Sequence, residues 1–151
     1  MKKFAFLAVA VSAFTLSSFG SSLIEVYKSP TCGCCTSWGK IMQKNGFETK
    51  DIKTNDVVAV KNKFKVPLEL SSCHTAIIDG YVFEGHVPPD EVKRFLELKP
   101  AGAIGISVPG MPLESPGMEQ GGVPEQYDVI LFKTDGTQEI FATYIANTKI
   151  R

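Results

Sequence analysis

Apolar and polar residues alternate along this chain with two distinct periods, and the switches between them mark its elements. Leu23-Ile24-Glu25-Val26-Tyr27 is β-branched and aromatic, which predicts a short buried strand stopped at Ser29-Pro30. Trp38, Ile41 and Met42 recur at i, i+3 and i+4, the core stripe of an amphipathic helix from about Cys34 to Asn45, with Gly46 placed to end it. Glu48 to Lys53 alternates weakly around Ile52 and predicts a second strand. Asp56 is placed to cap a second helix through Phe64, with Val57, Val60 and Phe64 on one side. Pro67 to Ser72 reads as loop. Thr75 to Ile78 and Tyr81 to Glu84 flank Asp79-Gly80, the signature of a two-residue type I′ hairpin. Pro88-Pro89-Asp90 opens a helix that turns Val92, Phe95 and Leu96 to the core and stops at Pro100. Residues 101–124 are rich in Gly and Pro and read as one long loop, repeating Pro-Gly-Met at Pro109-Gly110-Met111 and Pro116-Gly117-Met118. Tyr127 to Lys133 and Thr137 to Tyr144 then predict a second hairpin around Thr134-Asp135-Gly136.

The resulting β-α-β-α-β-β-α order is an α/β pattern of the thioredoxin-like kind, extended by a Gly/Pro/Met loop and an added β-hairpin, 127–144. In that arrangement the loop before the first hairpin lies against the turn after the first strand, and a cis-proline normally opens the hairpin. Here His74-Thr75 takes that place. The proline shields a redox pair from metals, whereas a histidine invites them.

Composition narrows the class. A chain of 151 residues, 44% hydrophobic and 21% charged, suits one domain with a modest core rather than a disordered or fibrous protein. Its beginning is read differently. Lys2 and Lys3 precede an apolar run from Phe4 to Leu16, and Ser18 and Gly20 suit a signal-peptidase site, so residues 1–20 are expected to be a cleaved export signal. The run is short for a membrane span, and nothing later resembles one. The mature chain, 21–151, then has two more acidic than basic residues and no basic stripe, which argues against nucleic acid. Export also implies an oxidising, periplasmic setting in which unprotected thiols tend to pair.

The candidate chemistry lies in Cys32-Gly33-Cys34-Cys35, between the first strand and the first helix. Cys32 and Cys35 form a C-x-x-C pair at a helix N-terminus, where the dipole favours thiolate. Cys34 spoils a simple redox pair but assists a soft metal, because bridging thiolates hold several Cu(I) ions. Cys73-His74, in the loop expected to face this turn, supplies a fourth thiol and an imidazole. His86 is the other histidine, read from its surroundings as a loop residue ahead of a helix. Met111 and Met118, flanked by Pro and Gly, are poorly placed for core, and their thioethers prefer Cu(I), which tilts the choice from zinc towards copper. Two other readings stay open: a thiol–disulfide oxidoreductase working through Cys32 and Cys35, and a disulfide-stapled binding module.

Taken together, Cys32-Gly33-Cys34-Cys35 after Ser29-Pro30-Thr31, Cys73-His74-Thr75, Glu84-Gly85-His86-Val87-Pro88, Val108-Pro109-Gly110-Met111-Pro112 and Ser115-Pro116-Gly117-Met118-Glu119 resemble the periplasmic copper-resistance proteins of the CopG type. The likeness runs from about Tyr27 to Tyr144. It implies a thioredoxin-like fold and a site with more than one Cu(I) bridged by Cys32, Cys34, Cys35 and Cys73. His74, His86, Met111 and Met118 match the surrounding pattern. The resemblance also implies a role in copper resistance, with Cu(I)/Cu(II) cycling and a copper efflux pump or copper chaperone as partner. Glu114 departs from it, because a glycine is expected before Ser115.

Overall fold

A computed structural model describes residues 22–151; the expected export signal lies outside them. Twelve elements follow one another. β1 (Leu23–Lys28), α1 (Gly33–Lys44), β2 (Glu48–Lys53), α2 (Val57–Lys63), a 3-10 turn (Leu68–Leu70), β3 (His74–Ile78), β4 (Tyr81–Glu84) and α3 (Pro89–Leu98) make the first part. β5 (Ala103–Ser107), β6 (Gln126–Lys133), β7 (Gln138–Ile145) and β8 (Thr148–Lys149) complete it. All eight strands join one sheet in the order β2-β1-β3-β4-β5-β6-β7-β8.

Local signals set most of the boundaries. The Cys32 sulfur accepts from the Cys35 amide and caps α1, while Asp56 accepts from the Ala59 amide and caps α2. Gly46, at φ +92°, lets the chain leave α1 for β2. Asp79 and Gly80 both have positive φ, as a type I′ turn requires, and bring β3 and β4 together antiparallel. β1 pairs parallel with β2 and antiparallel with β3, so its C-terminal end, which feeds the cysteine turn, lies beside His74.

The alternation of strand side chains divides the apolar residues between two faces. Ile24, Val26, Ala76, Phe83 and Ile106 pack with Trp38 and Met42 of α1 and Val92 and Phe95 of α3. Val66, Leu70, Val82 and Phe132 form a smaller cluster with Phe64. Ile41 and Leu96, both expected in the core, are only half-buried.

Residues 101–124 are not one loop. Ala103–Ser107 forms β5, parallel to β4 and antiparallel to β6, and so joins the added hairpin to the rest of the sheet. Ile104 and Ile106 alternate between the two clusters, a period-2 pattern concealed by the neighbouring glycines. Gly105 is required there, because a Cβ would overlap the Val82 carbonyl of β4. The second hairpin runs slightly beyond 127–144, carries a bulge at Val129/Ile130 and gains the short β8. Among the described residues no helix is long and apolar enough to cross a membrane.

Candidate metal centre

Three segments converge above the end of β1: the cysteine turn, the Ser72–His74 approach to β3, and the chain between β5 and β6. The sulfur atoms of Cys32, Cys34, Cys35 and Cys73 all lie within 4.8 Å of one another. Cys32 and Cys35 are joined in a disulfide, while Cys34 and Cys73 are free. The C-x-x-C pair is thus oxidised rather than a pair of thiolates in this state. Cys34 Sγ is 3.5 Å from Cys32 Sγ, and Cys35 is fully buried.

A second group of donors shares Cys73. Its sulfur lies 3.3 Å from His74 Nδ1 and 2.9 Å from His86 Nε2. His86 stands in the loop ahead of α3, as its surroundings indicate, but it faces Cys73 rather than solvent. His86 is fully buried, and its Nδ1–H donates to the Pro116 carbonyl at 2.7 Å. That bond fixes the tautomer and leaves the Nε2 lone pair facing Cys73. The indole of Trp38 packs on His74 with ring centroids 4.6 Å apart and is itself anchored by donating to the Val87 carbonyl.

Burial governs the protonation of this group. It pushes the Cys73 thiol up to about 12, with the neighbouring Cys34 adding to the effect. Burial, reinforced by His86, Lys61 and Lys28, holds His74 well below its ordinary range. His86 is lowered by burial too, although Pro116 and Glu119 pull the other way. Neutral imidazoles are ready ligands, whereas the Cys73 thiol must release a proton to become one.

The donor set fits a soft metal. Thiolate and imidazole suit copper and zinc, and four convergent sulfurs suit bridging of more than one ion. A further sign is His74 Nε2, a buried polar atom with no hydrogen-bond partner. Buried polar atoms are rarely left so.

The two methionines part company. Met118 is buried on the strap from Val108 to Glu125, whereas Met111 is 54% exposed beside the bridge that pairs Ser72 with Gly110. The strap approaches α1 closely. A Cβ on Gly117 (φ +87°) would lie 2.8 Å from the Trp38 amide nitrogen and 2.9 Å from the Cys34 carbonyl. Glu114, the departure noted above, adopts φ +65°, a conformation that glycine would take without strain. Its carboxylate accepts from the amides of Gln120 (2.8 Å) and Gly122 (2.9 Å), which tie the turn together.

One support of the site escapes the motif reading. Glu84 is completely buried and accepts from Lys61 Nζ (2.5 Å), the Ser72 amide (2.7 Å) and the Thr75 hydroxyl (2.6 Å), gripping both sides of Cys73-His74. Lys61 flanks the Val57, Val60 and Phe64 face of α2, and a lysine beside that apolar face was the available clue. Lys28, also buried, pairs with Asp51 at 2.6 Å and donates to the Thr36 hydroxyl beneath the cysteine turn.

Known proteins resemble this chain in sequence and in fold. The family model described as "Protein of unknown function, DUF411" matches residues 70–118, which hold Cys73, both histidines and both methionines. No curated protein sequence matches the chain. Two solved structures do: "Copper resistance protein copG- Form 2" at TM-score 0.79 and "Copper resistance protein copG- Form 1" at 0.78. Each is 39% identical and covers 83% of this chain, matched over 99% and 98% of the respective solved chains. At that identity, over nearly the whole of those chains, the protein belongs to the CopG-type family of copper resistance proteins.

Proposed function

We propose that this is a periplasmic copper-binding protein of copper resistance, a thioredoxin-like domain, 21–151, whose cysteine turn serves metal rather than thiol exchange. The observation that carries the reading is the sharing of Cys73 between four convergent sulfurs and a Cys/His/His group. Once the Cys32–Cys35 bond is reduced, the four thiolates bridge more than one Cu(I), and the α1 N-terminus offsets part of their charge. His74 and His86 complete the ligation. Met118 closes the strap side, and exposed Met111 receives or hands on the ion, with an efflux pump or copper chaperone as the other party. Mixed sulfur and imidazole ligation accommodates both oxidation states, so the site cycles between Cu(I) and Cu(II). The β2-β1-β3-β4 portion of the sheet, with its three helices, supports the thioredoxin-like assignment. The Lys2–Leu16 pattern supports export.

A second reading, a thiol–disulfide oxidoreductase using Cys32 as nucleophile and Cys35 as resolving thiol, is favoured by the disulfide between them. Anaerobic titration of reduced protein with Cu(I), against a chelator of known affinity, separates the two. Two or more ions held tightly per chain support the copper reading. Binding no stronger than that of a C-x-x-C control, together with rapid insulin reduction, would support the oxidoreductase instead.

A further inference from the structure

We propose that Cys34 and Cys73 form a second dithiol–disulfide couple, and that its closure reduces two Cu(II) ions to Cu(I). This rests on the copper reading above and deepens it, because sulfur becomes the source of electrons. Cys32 and Cys35 are already paired, so Cys34 and Cys73 are the thiols left in the nest. Their sulfurs are within 4.8 Å and come from different elements, the first turn of α1 and the segment entering β3. From that range the two sulfurs close to bonding distance, roughly 2.05 Å, as the bond forms.

The step balances. Two thiols and two Cu(II) give one disulfide, two Cu(I) and two protons. Each sulfur gives up one electron, and each copper accepts one. The Cys73 proton is displaced when copper takes the sulfur and passes from a half-buried position to solvent. The Cys34 proton passes from its half-buried position to solvent. The fully reduced nest therefore stores four electrons in two pairs. This also explains the third cysteine in the turn: a lone C-x-x-C stores two. With both bonds closed no thiolate remains, and Cu(I) is left with imidazole and thioether alone, a weakened site from which it departs. Reduction and release are coupled through the same sulfurs.

The test uses the full reduced protein, without oxygen, titrated with Cu(II) while electron paramagnetic resonance follows the ion remaining. Acid quenching, alkylation and peptide mapping then locate each bond. Four equivalents of Cu(II) consumed per chain, with Cys34 linked to Cys73 in the same molecule, is the expected result. Cys73→Ser should halve the consumption and leave Cys34 alkylated while Cys32–Cys35 still closes; Cys34→Ser serves the same purpose if the first variant folds poorly. Consumption stopping at two in the unaltered protein, with Cys34 and Cys73 both alkylated, overturns the proposal, as does linkage of Cys34 between chains. A parallel arm uses diamide in place of Cu(II). Tight Cu(I) binding with no Cys34–Cys73 bond from either oxidant removes this inference and leaves the proposed function intact. A bond formed by diamide without Cu(I) binding removes the proposed function, and copper as the oxidant with it.

Discussion

His86 owes its direction to a backbone carbonyl rather than to another side chain. Pro116 presents that carbonyl because Gly117 lets the strap lie against Trp38 and Cys34. Gly117→Ala forces the strap outward and removes the partner that orients the ring. Loss of such an orienting contact usually lowers metal affinity about 10- to 100-fold. Chelator competition should show a drop of that size with the fold intact by circular dichroism; unchanged affinity would mean that the carbonyl is incidental. The buried imidazoles also set a pH dependence. Both are held below 6.5 in the folded protein and return to that ordinary value on unfolding. Below it the unfolded chain binds protons that the folded chain refuses, so stability present above 6.5 is lost as pH falls. For His74, held well below that value, the slope should approach about 1.4 kcal/mol per pH unit, and His86 adds to it in the same direction. Urea denaturation of metal-free protein from about pH 7.5 down to 5.5 tests this; a midpoint that stays constant refutes it. The cysteines were legible because three thiols in four residues have few uses. His86 was legible only through the family resemblance, since its partners come from 13 and 30 positions away.

β5 and the strap that follows it show where periodicity stops being informative. Five residues containing a glycine carry too weak an alternation to stand out from a Gly/Pro-rich stretch, and the pairing that makes them a strand is with β4 and β6. Gly105→Ala puts a methyl group into the backbone of Val82 and is expected to cost about 3 kcal/mol, at the upper end of overpacking. A denaturant midpoint within error of the parent would refute this. The strap is folded by carboxylates turned on its own amides: Glu114 on Gln120 and Gly122, Glu119 on Gly117, Glu125 on Leu113. Such bonds are invisible to a reading based on apolar spacing, yet they give a Pro/Gly segment one shape. By contrast, the Asp79-Gly80 turn and the Asp56 cap were readable, because each depends on residues within three positions of it.

Across the molecule, two buried carboxylates fasten the parts that make the site. Glu84 joins α2 and the Ser72 backbone to β3 and β4. Glu91 of α3 receives Tyr144 of β7 and Lys149 of β8 at 2.8 Å each, and Arg94 at 2.6 Å, fixing the added hairpin against the helix. Glu84→Ala leaves Lys61 buried without its counter-charge and is expected to destabilise the protein by about 3 to 5 kcal/mol. Tyr144→Phe removes one hydrogen bond, about 1 kcal/mol, and should speed amide exchange in β7 and β8 while sparing β1 to β3. Uniform exchange rates across the sheet would show that the hairpin is not fastened this way. The order of strands and helices as far as α3, the cysteine turn, the I′ hairpin and the choice of a soft-metal donor set were written in residues close together, where capping, turn chemistry and side-chain period act. The distances were not. How His86 comes to meet Cys73, which methionine is buried and how a lysine comes to sit in the core all follow from packing between segments distant in the sequence. Close packing permits one arrangement of those segments, and no local rule encodes it.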